Sequence, residues 1–113
     1  MATTPETDSF TFTNDQGSEV HVRHWAAEGE AKALLLISHG MQEHSGRYGR
    51  TAGDFTKAGY DVYALDHRGH GLTSPSVEAL GRMGPGGWQG VVADVHLLVG
   101  KLRERRPELP LVM

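Results

Sequence analysis

Apolar and polar side chains alternate near the start of the chain, and this alternation predicts an antiparallel hairpin. The period of two runs over residues 10–13 and resumes over 20–24, with the segment NDQG between them at 14–17. Such a period is typical of a strand with one buried face, and Asn, Asp and Gly favour a turn. We therefore predict a hairpin over residues 9–25.

Two uninterrupted apolar runs predict strands that are buried on both faces. The first run, ALLLIS, covers residues 33–38, and the second, DVYAL, covers residues 61–65. Runs without alternation are typical of parallel strands that lie between two layers of helix. The segment 109–113 is expected to begin a further strand of the same kind.

A helical spacing lies between these two runs. Tyr48, Ala52 and Phe55 recur at intervals of three or four residues and predict a first helix. Ser45 is a suitable N-cap residue for it, and Gly59 is a suitable C-terminal stop.

A second apolar stripe predicts a longer helix that Pro107 terminates. Its members are Trp88, Val91, Val92, Val95, Leu98 and Leu102. Asp94 flanks this stripe or faces away from it, so we expect it to be solvated or to cap, and not to act in catalysis. His96 lies between positions that face the core, and we expect it to be partly exposed.

The order of these elements indicates the fold class. A hairpin followed by strand, helix, strand, helix and strand predicts an α/β sheet with right-handed crossover connections. Such sheets bind their ligands at the C-terminal ends of the parallel strands. The segments that follow Ser38 and Leu65 start at such ends, so they are the candidate functional loops.

Composition narrows the classes of function. The chain has 113 residues, of which 38% are hydrophobic, and a formal net charge of -3. These values fit a globular domain and offer no basic surface for nucleic acid. Because cysteine is absent, a disulfide scaffold, a thiolate zinc site and a cysteine nucleophile are excluded. The polar N-terminus is unlike a signal peptide, and no apolar run has the length of a transmembrane segment, so we expect a cytoplasmic protein.

The first candidate loop begins with His39, Gly40 and Met41. A glycine just past the end of a strand permits a sharp turn. The Met41 N–H group can then point into the crevice and stabilise a developing oxyanion. On its own, this tripeptide also fits an ordinary turn at the end of a strand.

Histidines raise the question of a metal site at two places, and the sequence favours neither. His21 and His24 are three positions apart on a predicted strand and therefore face opposite sides of the sheet. Arg68 lies in the middle of the segment 66–70 and would repel a divalent ion. We expect no metal and no cofactor, and we interpret 66–70 as a hydrogen-bonded loop.

Two longer motifs carry a family resemblance. HGMQEHSGRY at 39–48 precedes DHRGHGLTS at 66–74, across a predicted strand-helix-strand unit. In content, order and spacing they resemble the monoacylglycerol lipase-like branch of the α/β-hydrolases, also described as lysophospholipases or serine aminopeptidase-like hydrolases. The segment 86–113 is similar to the next helix of that family and to the start of its nucleophile strand. The resemblance covers nearly the whole chain.

The resemblance also implies roles for individual residues. Met41 would supply one backbone N–H group of the oxyanion hole, in a loop that His39 and Gly40 form. The motif that orders this loop and opens the following helix matches Glu43, His44, Arg47 and Tyr48. The loop beside the nucleophile elbow, which shapes the site, matches Asp66, Arg68, Gly69, His70 and Gly71. Thr73 stands where the family usually has serine, and a hydroxyl group is kept.

The implied activity is that of a serine ester hydrolase of the monoacylglycerol lipase or lysophospholipase type. Such an enzyme cleaves acylglycerols or other small esters through an acyl-enzyme, using a serine in G-x-S-x-G and then an acid and a histidine. No serine of this chain has glycine two positions before it and two after it. We therefore expect a flexible tail over 1–8 and the N-terminal part of one α/β-hydrolase domain over 9–113, ending before the nucleophile elbow. That part would be inactive alone and would need the C-terminal part of the same fold as its partner.

Two alternatives stay open at this point. The chain could be a non-catalytic α/β binding or interaction module, or it could belong to another α/β-hydrolase activity, such as a peptidase, a thioesterase or a haloperoxidase. A cooperative, monodisperse monomer would favour the module. An associating or molten species would favour a part of a larger domain.

Overall fold

The computed structural model describes residues 7–15, 17–38, 48–67 and 87–113. The strands in this part of the chain are β1 (Asp8–Thr13), β2 (Glu19–Trp25), β3 (Ala33–Ser38), β4 (Tyr60–Leu65) and β5 (Leu111–Val112), and the helices are α1 (Gly49–Lys57) and α2 (Gly87–Arg105). The strands form a five-stranded sheet in the order β1-β2-β4-β3-β5. β3 is parallel to β4 and β5, whereas β2 is antiparallel to β1 and β4. The predicted α/β class is confirmed.

The predicted hairpin consists of β1 and β2 and is also confirmed. Phe10 pairs with Val22 and Phe12 with Val20, so the alternating apolar residues share one face. Asn14 closes the turn, because its backbone N–H donates to the Ser18 carbonyl at 2.8 Å and its side-chain oxygen accepts the Ser18 N–H at 3.0 Å. β1 begins at Asp8, one residue before the expected start.

The sheet is buried on both faces, which explains the uninterrupted apolar runs of β3 and β4. Tyr63 and Leu65 of β4 belong to a cluster on one face, where Leu98 and Leu102 of α2 pack. The alternate residues of β4, Val62 and Ala64, belong to a second cluster on the opposite face. Ala52 of α1 and Trp25 of β2 complete that second cluster: its buried residues are Trp25, Ala52, Val62 and Ala64.

α1 departs from the prediction at its start and on its buried face. Its N-cap residue is Tyr48, which makes no side-chain capping hydrogen bond. Ser45, the predicted N-cap residue, lies outside the described residues. Phe55 is 38% exposed, and its ring packs edge-on against Tyr60. The predicted end is confirmed: Gly59 has a φ of 96°, which glycine adopts with little strain, just beyond α1.

α2 presents a different stripe to the core from the predicted one. Leu98 and Leu102 are fully buried, but Trp88 is 65% exposed and Val92 is 51% exposed. Asp94, which we expected to be solvated, is instead fully buried. The Asn14 side-chain amide donates to its Oδ2 atom at 3.5 Å. The hairpin turn therefore covers this part of α2, and a polar residue occupies a position on the buried stripe. His96 is exposed, as expected.

Among the described residues, no helix combines the length and the apolar character that crossing a membrane requires.

Candidate functional site

Most of the predicted site lies outside the described residues. This applies to His39, Gly40, Met41, Glu43, His44, Arg47, Arg68, Gly69, His70, Gly71 and Thr73. The structure does describe the residues from which both candidate loops start: Ser38 at the end of β3, and Asp66 and His67 after β4. The roles that the family resemblance implies for the loop residues outside the described part of the chain stay predictions.

The two loops start side by side at one end of the sheet. β3 and β4 are parallel neighbours, and Ser38 pairs in register with Leu65. The C-terminal ends of both strands therefore lie at the same edge, as the sequence predicted. In α/β sheets this edge is where ligands bind.

A hydrogen bond joins the two starting points directly. Ser38 Oγ lies 2.8 Å from His67 Nε2. His67 is buried, with 6% of its surface exposed, whereas Ser38 is exposed. Either the hydroxyl donates to the unprotonated ring nitrogen, or the Nε2–H group donates to the hydroxyl oxygen. Both arrangements bind the end of β3 to the residue that lies two positions beyond β4.

Asp66 is held from the other side by β2. Its backbone N–H donates to the His21 carbonyl at 2.9 Å, which continues the pairing of β2 with β4 by one residue. Asp66 is fully buried. The dipeptide Asp66-His67 is thus attached to β2 through its backbone and to β3 through a side chain. A buried carboxylate in this place can shape the site without touching a substrate.

The contact between Asn14 and Asp94 lies at the same end of the sheet. β1 runs in the direction of β3 and β4, because it is antiparallel to β2 and β2 is antiparallel to β4. Asn14 follows the last residue of β1, and Asp94 lies in the first half of α2. This end therefore contains the buried carboxylates Asp66 and Asp94.

Sequence reasoning missed the Ser38–His67 and Asn14–Asp94 contacts. A signal was present for the first pair. Ser38 ends the first apolar run, and His67 lies two positions beyond the second run, directly after Asp66. For the second pair, the spacing of Asp94 from Val91 and Leu98 is helical and matches the buried stripe. Counting only apolar residues concealed it.

The described histidines do not form a metal centre. His24 Nδ1 lies 2.6 Å from Asp8 Oδ1, and its Nε2 atom lies 3.4 Å from Asp61 Oδ2, so the two carboxylates contact opposite edges of the ring. Within the described ranges, no group of three or more histidine, aspartate or glutamate side chains could hold a metal ion.

The chain matches a known protein family over most of its length. The family described as serine aminopeptidase, S33, matches residues 29–113. The chain is 35% identical over 89 residues to a monoacylglycerol lipase of Mycolicibacterium smegmatis, covering 79% of this chain and 30% of that enzyme. It is 33% identical over 102 residues to the human monoglyceride lipase, covering 90% of this chain and 32% of that enzyme.

Solved structures of carboxylic ester hydrolases have the same fold as this chain. A thermostable carboxyl esterase from Bacillus coagulans superposes with a TM-score of 0.83 at 30% identity, over 92% of this chain and 34% of that one. A monoglyceride lipase from Saccharomyces cerevisiae, solved with a substrate analogue, gives a TM-score of 0.75 at 25% identity, over 100% of this chain and 35% of that one. The chain thus spans about a third of the length of these relatives.

The family match covers most of the chain, the relatives are monoglyceride lipases, and the described sheet is a partial α/β-hydrolase fold. The chain therefore belongs to the serine aminopeptidase S33 family, whose monoglyceride lipase-like and esterase-like members are carboxylic ester hydrolases of the α/β-hydrolase fold.

Proposed function

We propose that this chain acts as the N-terminal part of a serine ester hydrolase of the monoacylglycerol lipase or lysophospholipase type. Its substrate class would be acylglycerols or related carboxylic esters. The observation that carries the proposal is the similarity to monoglyceride lipases, which spans 90% of the chain in the human case. Both motif-bearing segments start at the C-terminal ends of adjacent parallel strands, where α/β sheets bind ligands, and this supports the proposal.

The proposed reaction divides the work between this chain and the rest of the fold. A serine on the remaining part attacks the ester carbonyl, and a histidine takes the serine proton and passes it to the leaving alcohol. The Met41 N–H, presented by the turn at His39 and Gly40, donates to the oxyanion together with the N–H that follows the nucleophile. Each such donor contributes about 3 kcal/mol to transition-state stabilisation.

The proposed reaction needs a nucleophile motif that the chain does not contain. The sequence has no G-x-S-x-G motif, so residues 1–113 alone are proposed to be inactive. Loop residues would shape the site without reacting: Glu43, His44, Asp66, Arg68, Gly69, His70 and Gly71. Water later hydrolyses the acyl-enzyme in the same oxyanion hole.

An exposed apolar edge supports the proposed partner, which is the C-terminal part of the same fold. Among the described strands, β5 lies at an edge of the sheet. Val112 and the adjacent Met113 are 46% and 69% exposed. Such an edge is a template for pairing with another strand. The cytoplasmic location expected from the sequence stays a prediction.

A fusion protein tests the proposal. Residues 1–113 replace the matched segment of the Mycolicibacterium smegmatis monoacylglycerol lipase, and hydrolysis of a monoacylglycerol is measured with the unaltered relative as reference. We expect turnover, and we expect Met41→Pro, which removes the N–H, to lower kcat by at least 100-fold. Met41→Leu retains the N–H and is the matched control. A folded fusion protein without turnover, or equal rates for the two variants, would contradict the proposal.

A fluorophosphonate tests the division of labour on the chain itself. We expect the intact mass of the 113-residue chain to be unchanged after treatment, because the nucleophile lies on the other part. A stoichiometric adduct would mean that a serine of this chain is activated, and the proposed active site would be wrong.

A second candidate, a non-catalytic binding module, is favoured by one observation. The sheet has a buried cluster on each face within the described residues, so this part of the chain has a core of its own. Sedimentation velocity together with urea denaturation separates the two candidates. A cooperative monomer that gives an inactive fusion protein would favour the module.

A further inference from the structure

We propose that Ser38 and His67 are positioning residues for the hydrolytic reaction. Their hydrogen bond would hold the ends of β3 and β4 in a fixed relation, and so would set the place of the oxyanion donor. The inference rests on the proposed function for its consequence in catalysis. The contact itself is a property of the described structure.

The pair is the side-chain link between two neighbouring strands at the point where both end. Backbone pairing of β3 with β4 ends at the row of Ser38 and Leu65. The Ser38–His67 bond adds a connection two residues farther along, at 2.8 Å. Asp66, between Leu65 and His67, is bonded through its N–H to His21 of β2. Three strands thus determine where His67 lies.

Burial makes this bond important for the orientation of the histidine. His67 is 6% exposed, so its ring is enclosed, and the hydrogen bond to Ser38 is a directional contact that helps to fix its orientation. The hydroxyl of Ser38 supplies that contact from an otherwise apolar strand, at the position where the run ALLLI gives way to serine. A methyl group in its place would remove this contact between His67 and the end of β3.

Catalysis would sense such movement because the proposed donor is close in the chain. Met41 is three residues beyond Ser38, so no more than about 11 Å of extended chain separates the two Cα atoms. Donors in an oxyanion hole must be held within about 0.5 Å of their working position. A small rotation at Ser38 is therefore enough to displace the Met41 N–H. The effect should fall on kcat, since the oxyanion exists only in the transition state and the intermediate.

The first test uses the 113-residue chain and NMR, and it does not depend on turnover. We compare Ser38→Ala with Ser38→Thr, which retains the hydroxyl, and with Ser18→Ala, which removes a hydroxyl from the exposed hairpin turn. Ser38→Ala should shift the His67 Nε2 resonance and accelerate amide hydrogen exchange at Gly40 and Met41 by at least fivefold. Ser38→Thr should restore both readouts, and Ser18→Ala should leave both unchanged. Equal exchange rates in the Ala and Thr variants of Ser38 would overturn the inference.

The second test measures the same variants in the fusion protein described above. Ser38→Ala should lower kcat by at least 10-fold with KM changed less than twofold, and Ser38→Thr should recover at least a third of the parental kcat. If the role of Ser38 were purely structural, the loss of kcat in each variant would follow the fall in its melting temperature. That result would contradict a positioning role. Absence of turnover in the parental fusion protein would refute the proposed function alone, because the NMR comparison still decides whether Ser38 positions His67 and the residues that follow β3.

Discussion

The two ends of β4 carry polar residues of different kinds, and the difference separates stability from positioning. At the N-terminal end, Asp61 accepts the Ala27 backbone N–H at 2.8 Å and lies 3.4 Å from His24 and 3.8 Å from Arg106. At the C-terminal end, Asp66 and His67 are held by one backbone bond to His21 and one side-chain bond to Ser38. The first arrangement joins distant parts of the chain, and the second joins adjacent strand ends.

The contacts at the N-terminal end form a network that we call the Asp61 network, consisting of Asp8, His24, Asp61, Tyr63 and Arg106. The His24 ring stacks on Tyr63 with centroids 4.3 Å apart, and its Nδ1 atom lies 2.6 Å from Asp8 Oδ1. The network therefore connects β1, β2 and β4 to the residue that follows α2.

Charge accounts for the stability that we expect from the Asp61 network. Asp61 is buried, and the cation Arg106 and the potential cation His24 face its Oδ2 atom. Removing the Asp61 carboxylate would leave the Ala27 N–H and the buried His24 Nε2 atom without this partner, which costs more than the intact contacts contribute. By contrast, the Ser38–His67 bond includes an exposed hydroxyl group, and its loss should weaken the fold little.

Asp61→Ala should have the largest effect on stability, and it therefore tests the difference between the two ends of β4 most directly. It removes the acceptor of the Ala27 N–H and the carboxylate beside His24 Nε2, and we expect a loss of about 3 kcal/mol in the free energy of unfolding because buried polar groups lose their partner. Urea denaturation measures it. Asp8→Ala, at a carboxylate that is 51% exposed, is the control and should cost less than about 1 kcal/mol. Equal losses for the two variants would mean that burial of Asp61 has no energetic consequence.

Asp94→Ala should give the next largest effect, from the opposite end of the sheet. Asp94 is fully buried and accepts a hydrogen bond from Asn14, so its removal should cost about 2 kcal/mol. The double variant Asn14→Ala/Asp94→Ala separates this contact from the rest. We expect a coupling free energy of about 0.5 kcal/mol in the double-mutant cycle. Strict additivity would show that the hairpin turn and α2 are independent.

The sequence predicted the architecture well and the polar interior poorly, and Asp94 shows why. Hydrophobic periodicity places elements, so the hairpin, β3 and β4 were found at or within one residue of their observed bounds. Periodicity of apolar residues cannot place a buried acid, because its partner Asn14 is 80 positions away in the chain. The same holds for Trp88, whose apolar side chain is 65% exposed: burial depends on what packs over a position.

For the candidate site, too, the sequence predicted the arrangement of the strands but not the polar contact between them. Parallel pairing put the ends of β3 and β4 at one edge, as the buried runs implied. The bond between Ser38 and His67 also depends on the relative twist and separation of two strands, so the sequence signal at these two positions does not predict it by itself. Tyr48 was expected inside the first helix and is instead its N-cap residue, one position before the helix begins at Gly49.

Ser38→Ala should affect stability much less than Asp61→Ala, and this would separate the roles of the two ends of β4. It removes one hydrogen bond with an exposed partner, and we expect a loss of about 1 kcal/mol or less in the free energy of unfolding. Thermal and urea denaturation of the 113-residue chain measure it against Ser18→Ala. A loss as large as that of Asp61→Ala would place the Ser38–His67 bond among the stabilising contacts and remove the distinction between the two ends.

Tyr63→Phe should have the smallest effect, and only in alkaline solution. Burial raises the pKa of Tyr63, Arg105 opposes the rise, and the carboxylates of Asp61 and Asp8 add to it. Because the folded-state pKa lies above the value of about 10 in the unfolded chain, the phenol ionises first in the unfolded state. The contribution to stability is therefore complete below about pH 10 and is lost as the pH rises through the folded-state pKa.

Urea denaturation between about pH 8 and pH 11 measures this effect. The parental free energy of unfolding should fall more steeply above about pH 10 than that of Tyr63→Phe. The slope is the readout, since removal of the hydroxyl group itself can cost about 1 kcal/mol at any pH. Parallel curves would mean that the Tyr63 phenol ionises alike in the two states. The stack of His24 on Tyr63 would then shield the phenol from water less than its 2% exposure implies.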